Sequence, residues 1–230
     1  RAEFEIYYCG SAQPERVEQA LRQALAPLLA REPGELLYAD CEIRTNAVEV
    51  NTVEESMDVT QGKLAMGFRT GGNAVWKEDY PALLLCNAVF GGTTLSKLFL
   101  NVREKLSLCY YASSMLEKMK GVILVSSGIE FDKYQEARDE ILHQLEEIRQ
   151  GRIEDWELEG ARRTVISGYR SYLDNQGQLE DFWLGQAAAG LDTEIEELTS
   201  RLEGVTASQV AAAAQKLELD TVYFLKGVEG

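Results

Sequence analysis

Arg103 and Tyr110 stand seven residues apart in "LFLNVREKLSLCYYASS", one near the end of a predicted helix, the other near the start of the strand that follows. A guanidinium fork and a phenol hydroxyl converging on one cleft would suit recognition of peptide carbonyls or of a developing oxyanion. The plainer readings are an arginine on a helix surface and a strand tyrosine with a packed ring. Spacing alone leaves both open. Just upstream, Gly91, Gly92, Thr93 and Thr94 separate two apolar stretches, and the glycines suit a helix stop.

Other chemistries find little support. A hydrolytic zinc site built on H-E-x-x-H or H-x-x-E-H needs two histidines on one helical face, and His143, in "HQLEE", is the only histidine in the chain. A Ser or Cys nucleophile would have to use that same His143 as base, and no G-x-S-x-G elbow is present. "GGTTLSK" lacks the G-x-x-x-x-G-K-[ST] spacing of a phosphate loop. Carboxylate pairs such as Glu146-Glu147 and Glu196-Glu197 lie in helical runs and read as solvated faces. Cys9, Cys41, Cys86 and Cys109 are far apart with no C-x-x-C pair, and are expected to be buried small hydrophobes.

The elements that must position Arg103 and Tyr110 follow from periodicity. "QGKLAMGFRT" alternates, with Leu64, Met66 and Phe68 on one side, as a strand exposing one face does. "DYPALLLCNAVF" predicts an apolar helix ended by Gly91-Gly92. "TLSKLFLNVREKL" predicts a second, with Leu95, Leu98, Phe99, Val102 and Leu106 as its buried stripe. "CYYASSML" and "GVILVSSGIE" predict two strands joined by "EKMK". On the first, alternation puts Tyr110 with Ala112 and Ser114, and Cys109 with Tyr111 and Ser113.

Before this block, "FEIYYCG" predicts a strand, and "PERVEQALRQALAPLLA" a helix with Val17, Leu21, Leu25 and Leu28 on one face. Residues 31–60 predict a loop and one poorly patterned strand. After it come helices over "DKYQEARDEILHQLEEIRQG", "IEDWELEGARRTVISGYRSYLDN" and "GQLEDFWLGQAAAG". Two short helices follow with capping boxes at Thr193/Glu196 and Thr206/Gln209, and "DTVYFLKG" predicts a closing strand. Short strand-to-strand links favour an α+β class, an antiparallel sheet with helices packed on one face.

With 230 residues and 45% hydrophobic content the chain can bury a sizeable core. A formal net charge of −15 argues against nucleic acid and against anionic membrane as partners. No apolar run reaches the roughly 18 residues of a membrane span, and the start carries no signal-peptide pattern, so the expected location is cytoplasmic. The chain does not begin with Met, and the expectation is a piece of something longer.

"FGGTTLSKLFLNVREKLSLCYYASS" closely resembles the segment of insulinase-type zinc metallopeptidases (insulin-degrading enzyme, pitrilysin, mitochondrial processing peptidase) in which a Gly turn precedes S-x-L-F-x-x-[VL]-R-E-K and an aromatic ends the motif. "QGKLAMGFRT", "EDWELEGARRTVISGY", "GVTASQVAAAAQKL" and "DTVYFLKG" resemble the family's flanking elements in the same order. The resemblance implies the metallohydrolase fold of the processing peptidase. It further implies that residues 1–230 form one inactive, C-terminal-type domain of a half without the zinc motif.

Several roles are implied with it. Arg103 would hold substrate backbone carbonyls, and Tyr110 would help stabilise the tetrahedral intermediate. Gly91, Gly92, Thr93 and Thr94 match a substrate-contacting glycine-rich loop, shorter here and poorer in glycine. The implied partners are a peptide substrate and a zinc-bearing peptidase half, in the same chain or a separate subunit as in small bacterial enzymes that pair the two. This chain itself would carry no cofactor. The alternative is a core scaffold subunit of the same fold that binds no peptide; a stand-alone enzyme would itself bind zinc.

Overall fold

Alternation along "GKLAMGFR" sets the centre of the fold. In the computed structural model, which describes residues 4–30 and 44–228, strand β2 (Gly62–Arg69) buries Leu64, Met66 and Phe68 and leaves Lys63 in solvent. It pairs antiparallel with β4 (Val122–Ile129) on one side and with β5 (Glu218–Gly227) on the other. β3 (Cys109–Glu117) continues the antiparallel pairing from β4, and β1 (Asn51–Met57) lies parallel to β5, giving the order β1-β5-β2-β4-β3. The expected α+β class therefore holds, with one parallel pair at the edge. Parallel neighbours need a long crossover, which the chain between β1 and β5 supplies.

One face of the sheet is the core. Leu64, Met66, Phe68, Ile123, Val125, Ala112 and Val222 are buried there, with Phe68 edge-on to Phe90 at 6.1 Å and Phe224 stacked on Tyr134 at 4.3 Å. The covering helices include α2 (Tyr80–Asn87), with Leu83, Leu85 and Cys86 buried, and α3 (Tyr134–Arg149), with Ala137, Ile141, Leu145 and Ile148 buried at the predicted spacing. On the opposite face Tyr111, Met115 and Leu124 remain exposed, Met115 and Leu124 directly paired across β3 and β4.

Three further helices complete this larger unit, which takes in described residues 44–171 and 193–228: α4 (Asp155–Ser171), α6 (Ile195–Glu203) and α7 (Ala207–Gln215). Two arginines cap helix C-termini, where carbonyls lack intrahelical partners. Arg149 donates to the carbonyls of Ala214 and Leu217, and Arg162 to those of Leu202 and Val205. The capping box at Thr206 and Gln209 forms, with Thr206 N–H donating to the Gln209 side chain at 2.8 Å. The one expected at Thr193 does not: α6 begins one residue later, with Glu194 at the cap, so Glu196 loses the required spacing.

The smaller unit comprises described residues 4–30 and 172–192, with α1 (Pro14–Leu29) and α5 (Gln176–Ala188). The run 4–9, expected as a strand, carries none, because a strand exists only against a partner and none lies beside it among the described residues. Phe4, Ile6 and Tyr8 instead line a groove of about 730 Å³ with Val17, Leu21 and Leu25 of α1.

Among the cysteines, Cys86 is buried as expected and burial pushes its thiol up to about 12. Cys9 is exposed and Cys109 half-buried, against expectation, and Cys41 lies outside the described residues.

The two faces of the sheet predict different mutational costs. Phe68→Ala should lower stability to urea by about 3–5 kcal/mol through lost burial and a cavity. Met115→Ala should stay within about 0.5 kcal/mol of wild type. Equal losses would mean that the face bearing Met115 is also packed.

Candidate functional site

The segment from residue 88 to 105 departs from ordinary helix. α2 runs on without a break into a π-helical turn, Ala88–Gly92, so Gly91 and Gly92 lie within the winding rather than after it. A second π-helical stretch, Leu98–Lys105, replaces the predicted α-helix. The predicted stripe is only partly buried, and its two exposed members lie in the turns on either side of the π-helical stretch. Leu98 and Val102 are fully buried, Phe99 is half-buried, and Leu95 and Leu106 are exposed. Runs with i→i+5 hydrogen bonds are rare and concentrate at functional sites.

Gly91 is where this segment meets the sheet. A Cβ there would stand 2.6 Å from the backbone nitrogen of Ser114 on β3 and 2.8 Å from Leu98 Cδ1, so only glycine allows the approach. The Ser114 hydroxyl donates to Asn87 Oδ1 at 2.8 Å across the same seam. A Cβ at Gly92 would meet Asn87 Nδ2 at 2.9 Å. Thr93 donates its hydroxyl to Ala88 O at 3.2 Å and accepts from Leu95 N–H at 3.3 Å; Thr94 is exposed. The first of these four residues thus has a packing duty, while Gly92 and Thr94 face solvent.

At the other end the chain turns sharply. Ser107 takes a left-handed φ of 50°, and Leu108 N–H reaches back to Val102 O at 3.0 Å, ending the helix and starting β3. The pairing of β3 with β4 then skips a residue: Cys109 faces Ile129 and Tyr111 faces Gly128. Tyr110 is the extra residue of this irregularity. The expected grouping of Tyr110 with Ala112 and Ser114 therefore fails. Those two are buried against the helices, whereas Tyr110 is 60% exposed, because a bulge re-aims the residue it leaves unpaired.

Arg103 is half-buried, its guanidinium 4.7 Å from the Phe99 ring centroid and 3.3 Å from Glu104. Its charge is felt at the start of β3. Burial raises the Cys109 thiol above its ordinary value, while a hydrogen bond with Ser127 and the positive charge of Arg103 draw it partly back. Arg103 and the residue preceding Tyr110 are thus within electrostatic reach of one another.

A buried ion pair, not foreseen from the sequence, stands behind the segment. Lys97 Nζ donates to both carboxylate oxygens of Glu157 at 3.0 Å, with side-chain exposures of 9% and 6%. Its only signal was Glu157 in the first turn of α4, where an acid reads by default as a solvated helix-start residue. His143 is exposed on α3, 3.9 Å from Glu147. Among the described residues no group of three His, Cys, Asp or Glu gathers to hold a metal ion.

The family model described as "Peptidase M16 inactive domain" matches residues 2–165. The chain belongs to that family. It is 34% identical over 228 residues, 99% of its length, to a Bacillus subtilis (strain 168) protein named "Probable inactive metalloprotease YmfF", and covers 52% of that protein. A crystal structure of a conserved Enterococcus faecalis V583 protein matches at 34% identity with a TM-score of 0.73, over 82% of this chain and 44% of that one. A Helicobacter pylori protease shares the fold at a TM-score of 0.80 and 19% identity, over 94% of this chain and 53% of that one. The chain spans about half the length of the relatives it matches.

Two measurements check this geometry. Gly91→Ala should cost about 1–3 kcal/mol of stability in urea unfolding, since neither the Ser114 backbone nor the buried Leu98 can yield easily. Arg103→Ala should raise the Cys109 thiol further, so that its alkylation at mildly alkaline pH slows, while Arg103→Lys retains most of the effect. An unchanged alkylation rate would separate Arg103 from the start of β3.

Proposed function

We propose that this chain is the non-catalytic, substrate-binding partner in a zinc metallopeptidase assembly. Its 230 residues act as one inactive domain completing a peptide chamber opposite a zinc-bearing half, in the same chain or another, in the cytoplasm. The observation that carries this reading is the irregularity at Tyr110. An exposed phenol is set out of register on β3, a free edge of the sheet, beside a helix end whose Arg103 acts electrostatically at the adjoining residue.

A packed tyrosine would need neither the irregularity nor the exposure. In this reading Arg103 donates to backbone carbonyls of the bound peptide, its planar fork suited to two acceptors at once. Tyr110 donates its O–H to the oxyanion that develops when water, activated in the other half, attacks the scissile carbonyl. In this reading zinc would be held by that other half and would supply the activated water there. In the same reading the turn at Gly91–Thr94 contributes to the peptide surface through its exposed residues Gly92 and Thr94.

The test is kinetic and uses the assembled halves. Tyr110→Phe should lower turnover by the equivalent of about 2.7–4 kcal/mol with peptide affinity nearly intact, as loss of an oxyanion donor does. Arg103→Ala should instead weaken peptide binding. Unchanged turnover in Tyr110→Phe would remove that role, and absence of any saturable, Arg103-dependent peptide binding would favour the scaffold reading.

A further inference from the structure

Residues 95–97 dock on α4 through two adjacent contacts. Lys97 is buried against Glu157. One turn along the same helix a Cβ at Gly160 would meet Leu95 Cδ1 at 2.7 Å, so Leu95 lies directly over a position without a side chain. Glu157 is itself fixed: Oε2 accepts from Glu154 N–H at 2.8 Å at the start of α4, so its carboxylate is tied to the helix end before it meets Lys97. A buried ion pair is seldom retained for stability, because well-packed apolar residues of similar volume commonly do as well or better. What the pair supplies is a fixed location for Lys97, the residue immediately before the π-helical stretch that carries Arg103 and ends one short turn from Tyr110.

We propose that Lys97 and Glu157 are positioning residues: their ion pair holds the π-wound segment against α4 so that Arg103 and Tyr110 keep the placement peptide contact requires. The pair touches no peptide and acts only through the backbone between residues 97 and 110. On the opposite flank the segment is held by Gly91 and Ser114 at β3 and by the hydrogen bond from Asn101 Nδ2 to Gln144 Oε1 of α3, 2.9 Å. Removing the α4 anchor therefore loosens the start of the stretch, and the Asn101–Gln144 bond and the buried Leu98 and Val102 are what remain to hold the course to Arg103. The proposal rests on the reading that Arg103 and Tyr110 contact peptide, but its first readout does not.

Lys97→Met/Glu157→Leu removes both charges while keeping volume, and is the principal variant because it leaves no unpaired buried ion. In the purified protein its thermal midpoint should stay close to that of wild type, loss of the cap on Glu154 N–H opposing the gain from removing two buried charges. Backbone hydrogen exchange at residues 103–111 should accelerate about tenfold, with 64–68 and 123–127 unchanged. Glu157→Asp, which keeps the charge but shortens the reach, is the second arm and should show the same local acceleration. With the zinc-bearing half present, both variants should lose turnover about tenfold, more in kcat than in KM. Unchanged exchange at 103–111 in whichever variant folds overturns the proposal. Accelerated exchange in a protein that binds no peptide keeps the anchor and overturns the peptide-binding role instead.

Discussion

The backbone of residue 91 lies so close to strand β3 that no side chain fits between them, and this one contact sets the course of everything that follows it in the chain. It lets the π-wound end of α2 rest on the sheet at Ser114, with Asn87 bonded to the Ser114 hydroxyl across the seam. From that fixed point the chain crosses to α4 at Lys97, winds again as π-helix, and returns through the left-handed turn at Ser107 to begin the very strand it had just packed against. The loop so closed runs from β3 back to β3. Arg103 and Tyr110 both lie on its last part, so their relation is fixed by a short, doubly anchored segment.

Wider helical winding and a skipped register position share one consequence. Each displaces a side chain from where regular periodicity would put it, at a local cost in hydrogen bonding or packing. At Tyr110 the skipped position presents a phenol on the edge strand of the described sheet. Local departures of this kind, concentrated in a stretch flanked by regular strands and helices, are expected at functional or strained sites.

That pattern also decides what could be read from the residues alone. Leu64, Met66 and Phe68 on β2, and Ala137, Ile141, Leu145 and Ile148 on α3, obey simple periods of two and 3.6, and their burial was legible because one dry face dictates it. The α+β class followed from the short strand-to-strand links. The π winding was not legible, since Leu98 and Val102 suit either helix and the choice is made by contacts with β3 and α4. Nor was the skip at Tyr110, which depends on how β4 pairs. Lys97 and Glu157 looked like ordinary surface charges because they are 60 residues apart and only the tertiary fold brings them together. The strand expected at residues 4–9 shows the converse: β-prone side chains do not make a strand where no partner edge is present among the described residues.

Membership of the peptidase M16 inactive-domain family fits a chain with a single histidine and no gathered metal ligands among its described residues. The role proposed for it is contact with peptide opposite a zinc-bearing half. The most direct measurement replaces Tyr110 by a photo-crosslinking aromatic amino acid and irradiates the protein with a zinc-bearing half and labelled peptide. Covalent attachment of the peptide, suppressed by excess unlabelled peptide, is the predicted result. Attachment only to protein, with peptide bound elsewhere in the assembly, would contradict the account.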